Sequence, residues 1–184
     1  NKFIVSPAPH IESSRTTKKI MWAVALSLLP AGIAGVYIFG ISSLKVIIFS
    51  VLSCVFMEAL FLKFRNKDPK AVLDGSAVLT GLLLAYNLPP GMPFWIPAIG
   101  GAVSIILGKQ IFGGLGQNIF NPALVGRAFL QISWPVYIAT WKNPRWWPDA
   151  IYSATPLAKE SVSNFHFTNM ALFLGNRPGC LGEV

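Results

Sequence analysis

Long uncharged runs alternate with short charged or proline-rich breaks along most of this chain. Residues 1–19 are polar, carry Ser6-Pro7-Ala8-Pro9-His10 and end in Arg15-Thr16-Thr17-Lys18-Lys19, which predicts an extended arm laid on a membrane surface. No charge occurs from Ile20 to Phe39, a stretch long enough at about 1.5 Å per residue to cross a hydrocarbon core of about 30 Å. This is the predicted first span, and Pro30, Gly32 and Gly35 predict a kink and close helix contact inside it. A link at Gly40 to Ser43 leads to a second span at Leu44 to Phe64, which carries Cys54 and Glu58 and is closed by the charged run Lys63 to Lys70.

The third apolar run, Asp74 to Leu88, is short for a crossing and stops at Pro89-Pro90-Gly91-Met92-Pro93. Its small residues Gly75, Ser76, Ala77 and Gly81 suit tight packing, or a helix that ends partway through the bilayer. Phe94 to Leu107 is the predicted fourth span. Ile111 to Ile132 is a fifth, broken between Gly113 and Pro122, where three glycines, two asparagines, a glutamine and a proline interrupt an apolar segment. Unwound backbone survives at bilayer depth only where it is buried in protein or lines a wet cavity, and transporters place ions and anionic groups at such half-helix ends. A nucleotide-binding glycine loop at Gly114-Leu115-Gly116 is disfavoured, because no strand precedes it and the last glycine of that fingerprint does not follow. Trp134, Trp141, Trp146 and Trp147 place residues 134–168 at a membrane interface, either as an aromatic belt or as the wall of a cofactor site. Residues 169–184 begin a further segment.

Composition strengthens this picture. The chain of 184 residues is 53% hydrophobic and 12% charged, with a mean hydropathy of +0.56, too few charges to cover a soluble globule. The expected fold is all-α: a polytopic transmembrane helical bundle of about five spans with broken and short helices, transporter-like. The net charge of +8 sits largely in clusters beside apolar segments, a pattern that orients a membrane protein rather than one that binds nucleic acid. Both basic clusters, Arg15 to Lys19 and Lys63 to Lys70, are expected on the cytoplasmic side, and residues 134–157 outside. Cys54 and Cys180 make neither a disulfide framework nor a zinc motif. No cleavable signal peptide is evident, so the first span is expected to be retained.

Individual residues add chemistry. Glu58 lies near the middle of the apolar second span, where an ionised carboxylate costs on the order of 3 kcal/mol or more unless paired or wet. It is a candidate for an ion path, with a protonated or hydrogen-bonded structural acid as the alternative. Asp74 is either part of that path or the cap of the third helix. Arg127 keeps its charge and must find a carbonyl, a carboxylate or a phosphate. His10 and His166 read as solvated loop residues. Thr155 has no Ser/His/Asp arrangement around it, and residues alone make 149–157 a surface turn ended by Pro156.

The segments "DGSAVLTGLLLAYNLPP", "KQIFGGLGQNIFNPALVGRAFL" and "SATPL" resemble the membrane-embedded D subunit of Rnf-type ion-translocating ferredoxin:NAD oxidoreductases. The resemblance runs from about Ser6 to the end of the chain. The B subunit of the sodium-translocating NADH:quinone oxidoreductase is similar, less closely. The resemblance implies an electron-transfer subunit of a redox-driven Na+ or H+ pump in the bacterial or archaeal cytoplasmic membrane. It implies FMN attached by a phosphodiester to Thr155 in Ser153-Ala154-Thr155 by a separate flavin transferase that also reads Asp149. Ala154 departs from the glycine often found in that motif. Arg127, with Asn118 and Asn121 in the break, are candidates for holding the flavin, and a non-covalent riboflavin is a second implied cofactor. The implied partners are the A, B, C, E and G subunits of the Rnf complex, the transferase and membrane lipid, with the ferredoxin and NAD sites on other subunits. No iron–sulfur cysteine spacing or dinucleotide fold is visible here. Members of this family continue past the last residue given, so the rest of the family domain is expected to be absent. A rival reading is a non-redox channel or carrier that uses the broken helix for permeation; it explains Gly113 to Pro122 and leaves "SATPL" idle.

Overall fold

The computed structural model describes residues 16–66, 69–142, 144–145, 170, 175 and 178–183. Helices α1 (Thr17–Ser27) and α2 (Leu29–Phe39) form one nearly continuous apolar rod. The interruption at Leu28 follows from Pro30, which has no N–H to offer the carbonyl four residues back. Tyr86 ties this point to α4 by donating its hydroxyl to Leu28 O at 2.6 Å, a carbonyl that also accepts from Gly32 N at 3.2 Å. Gly40, at φ 77°, turns the chain into α3 (Ile41–Phe64), the longest helix described. Among the described residues, Thr17–Phe39 and Ile41–Phe64 are the two stretches that are apolar and long enough to cross a bilayer.

A 3-10 turn (Pro69–Asp74) leads into α4 (Ser76–Tyr86), and after the proline-rich corner come α5 (Trp95–Ile105) and a π-helical segment (Ile106–Gln110). The expected fifth span takes a different form. Residues 111–121 are not helical; the helix before the glycines ends at Gln110, in the π segment that prolongs α5. Helix α6 (Pro122–Ser133) starts afresh at an asparagine cap, and α7 (Pro135–Ala139) follows. Gly113, Gly114 and Gly116 all have positive φ, a conformation that side chains resist, which is why helix cannot pass through. Among the described residues there is no strand.

The lateral contacts fix the arrangement. Helix α4 runs antiparallel to α3, with Ser50 Oγ donating to Gly81 O at 2.9 Å. Helix α5 runs parallel to α3: Phe94 stacks on Phe49, Ser53 donates to Ala98 O and Cys54 to Gly101 O. Helix α6 returns along α5, with Leu130 against Gly100 and Trp134 against Trp95. So α4 and α5 make a hairpin whose tip lies level with Phe49 of α3, and Trp95, Trp134 and Tyr137 cluster there. At about 1.5 Å per residue, α4 (11 residues) is about 16 Å long and α6 (12 residues) about 18 Å. Both fall short of a crossing. The Pro89 to Pro93 corner and the positive-φ glycines end them early.

The two ends of the molecule are distinct. Trp22, near the start of α1, donates to Leu73 O at 3.2 Å, so Lys18 and Lys19 share an end with Lys63 and Arg65 at the close of α3. At the other end, Lys142 Nζ donates to Ser42 Oγ at 2.9 Å and Arg145 N to Ile38 O at 2.8 Å. Residues 180–182 fold back on α4, where Gly182 N donates to Tyr86 O at 2.9 Å and Leu181 packs against Gly35.

Candidate functional site

Glu58 is 3% exposed. It lies six residues before the end of α3, about 9 Å along the axis, midway between the centre of the span and its basic end. The partner that the sequence does not disclose is Lys109, 2% exposed, whose ammonium donates to Glu58 Oε1. Gln110 adds a bond from Nε2 to the same oxygen at 3.3 Å.

The π segment is what presents these two consecutive side chains together. Ile111 N bonds Ile106 O at 3.0 Å and Gly114 N bonds Lys109 O at 3.1 Å, so each turn takes an extra residue, and Lys109 and Gln110 both face inward. Arg65 buttresses the segment by donating to Gln110 O. Gly108 lets α6 begin against it, since a Cβ there would stand 2.7 Å from Pro122 Cα.

Lys109 has a second acceptor. Its Nζ lies 2.5 Å from Ser76 Oγ, and the Ser76 hydroxyl donates to Asp74 Oδ1, also at 2.5 Å. Asp74 Oδ1 in addition accepts from Ser76 N at 2.7 Å, although the cap position of α4 is Gly75, one residue after Asp74. The same side chain is joined to Glu58 through Ser76 and Lys109. Carboxylate, ammonium, hydroxyl and carboxylate thus form one chain across α3, the π segment and the start of α4, buried at Glu58, Lys109 and Ser76 and half-buried at Asp74. Glu58 Oε2, at its far end, has no hydrogen-bond partner.

A cavity of about 160 Å³ opens beside this chain, lined in part by Met21, Ser76, Thr80, Lys109, Asn118 and Asn121. Asn118 Nδ2 donates to Phe120 O, and Asn121 Oδ1 accepts from Ala123 N as the cap of α6. The two asparagines are therefore brought to Lys109, whereas Arg127 is not. Arg127 Nη1 donates to Asn87 O at 2.7 Å and to Asn87 Oδ1 at 2.9 Å, so of its three possible acceptors the carbonyl is the one seen. A larger cavity, about 270 Å³, lies among α2, α3 and α4, lined by apolar side chains and Tyr86, apart from these charges. Asp149, Ser153, Ala154 and Thr155 lie outside the described residues, as do His10 and His166.

Sequence comparison places the chain among known proteins. The D subunit of the proton-translocating ferredoxin:NAD(+) oxidoreductase complex of Clostridium ljungdahlii is 44% identical over 195 aligned residues, covering 100% of this chain and 59% of that protein. Its counterpart in the Na(+)-translocating ferredoxin:NAD(+) oxidoreductase complex of Acetobacterium woodii is 42% identical, covering 98% and 57%. The corresponding protein from an ion-translocating oxidoreductase complex of Escherichia fergusonii is 43% identical, covering 77% and 41%. The chain thus spans about six-tenths or less of the length of these relatives. With the family profile matched from residue 4 to residue 184, the chain belongs to the NQR2, RnfD, RnfE family.

Proposed function

We propose that this chain is part of the membrane D subunit of a redox-driven cation pump linking ferredoxin and NAD, and that it carries FMN through a phosphodiester to Thr155. The observation that carries the reading is the Ser153-Ala154-Thr155-Pro156-Leu157 motif in a chain that belongs to this family. Relatives named as D subunits of proton- and Na(+)-translocating ferredoxin:NAD(+) oxidoreductase complexes supply the expected activity. The remaining Rnf subunits and a flavin transferase would be its partners. Bound flavin supplies one-electron carriage; the chain's own residues position it and govern charge nearby. Lys142 and Arg145 reach the α2–α3 link, opposite the basic clusters, so the chain leaves for Thr155 from the end that the charge rule assigns to the outside.

Mass spectrometry of the peptide spanning Ser153 to Lys159 tests the reading, on protein produced with the transferase and partner subunits. The expected mass includes FMN. Thr155→Ala should remove it completely, Thr155→Ser should retain part because only the hydroxyl is used, and Asp149→Ala should lower attachment. An unmodified wild-type peptide would overturn the flavin reading and favour a carrier without redox chemistry.

A further inference from the structure

We propose that Lys109 is a tethered counter-cation, which holds Glu58 until a small monovalent cation displaces it toward Ser76 and Asp74. The proposal rests on the reading of this chain as part of a cation pump. Glu58 uses its carboxylate unevenly: Oε1 takes both Lys109 and Gln110, while Oε2, equally buried, takes nothing. A pair serving only to hold helices together would satisfy both oxygens, since a buried acceptor left bare is a net cost. Oε2 is the ligand a cation would use.

Lys109 also has somewhere to go. Its ammonium already touches Ser76 Oγ, and Ser76 already points its proton at Asp74, so a small swing of a flexible side chain carries the positive charge from one carboxylate to the other. The adjoining cavity touches both Lys109 and Ser76 and leaves room for that swing. Once the ammonium moves, Glu58 is a bare anion in an apolar helix, and a cation at Oε2 restores neutrality. Binding and release then exchange one positive charge for another. The titratable groups facing Glu58 are Cys54 on its own helix, Lys109 on the π segment and Asp74 before α4, with Arg65 one contact beyond through Gln110 O.

The test is carbodiimide modification of Glu58 in the assembled, membrane-embedded complex, read by mass spectrometry across sodium concentrations and pH. In the wild type, Lys109 keeps the carboxylate paired and modification is slow. Lys109→Met should speed it at least tenfold, and Lys109→Arg should not. Suppression of the faster reaction by sodium chloride, but not by choline chloride, identifies sodium as the occupant; a rate that follows acidity and ignores sodium identifies the proton. Equal rates in wild type and Lys109→Met under all conditions overturn the proposal. Should Lys109→Met fail to accumulate, Ser76→Ala decides: removing the acceptor should raise the half-saturating cation concentration for turnover several-fold, and an unchanged value overturns the proposal. The flavin on the Thr155 peptide is quantified in the same samples, so loss of the parent reading is seen separately.

Discussion

Glu58→Gln keeps size and hydrogen-bonding capacity while removing charge, so it should impair ion-coupled turnover and leave covalent flavin and assembly intact. Ion uptake by proteoliposomes checks this; normal pumping would make the acid structural. Lys109→Met alone strands a buried carboxylate, a change that costs about 3–5 kcal/mol when nothing replaces the partner, whereas the double variant with Glu58→Gln should be far milder. Heat stability of the two assembled variants reads the difference. Cys180 gives a pH prediction. Burial pushes its thiol up to about 11, and Glu183 adds to the rise. The neutral thiol is thus favoured in the folded chain, a contribution present below the ordinary value of 9.0 and lost as pH rises through about 11. Maleimide should therefore react slowly at pH 8 in a Cys54→Ala background and faster as pH climbs. Rapid labelling at pH 8 would contradict the burial. At this scale the sequence is half legible. A carboxylate in an apolar run announces itself, so Glu58 can be picked out. Lys109 looks like a charge closing a span, because its partner lies 51 positions away and no local periodicity links them.

Helix contacts here depend on absent side chains. At Gly126 a Cβ would meet Gly100 O at 2.6 Å, and at Gly81 it would meet Val51 Cα at 2.6 Å, in both cases backbone that cannot turn aside. Gly126→Ala should push α6 from α5 at a cost of about 1–3 kcal/mol. The yield of intact complex after mild heating measures it, and a wild-type yield would mean that the helices are further apart than described. Gly114→Ala meets no neighbour within 4 Å but must hold φ 110°, so its cost is local strain alone. Punctuation residues mark most breaks correctly: Pro30 the interruption at Leu28, the Pro89 to Pro93 corner the end of α4, Asn121 and Pro122 the start of α6. The π segment is not legible. It arises where Gly108 meets Pro122, a tertiary contact, and local composition does not distinguish it from ordinary helix.

Taken whole, the molecule has a basic end and an end where Lys142 and Arg145 lie beside the α2–α3 link. A cysteine placed at Ser161 should accordingly react with a membrane-impermeant reagent added outside intact cells; reaction only after lysis would invert the orientation. Apolar length suggests about five crossings, and among the described residues the rod Thr17–Phe39 and helix α3 each have the length of one. Hydropathy sees how apolar a segment is; it does not see that α4, α5 and α6 are cut short and lean on α3. Their shortness bears on electrical work. Where water can enter above the tip of the α4–α5 hairpin, the insulating layer thins toward the reach of α4, about 16 Å, against about 30 Å of hydrocarbon elsewhere. The membrane voltage then drops mostly across that thin plug. A charge moved a few ångströms near Glu58 would feel a field nearly twice that in the surrounding lipid, so the cation exchange proposed for this pair would be voltage-dependent without any helix having to travel.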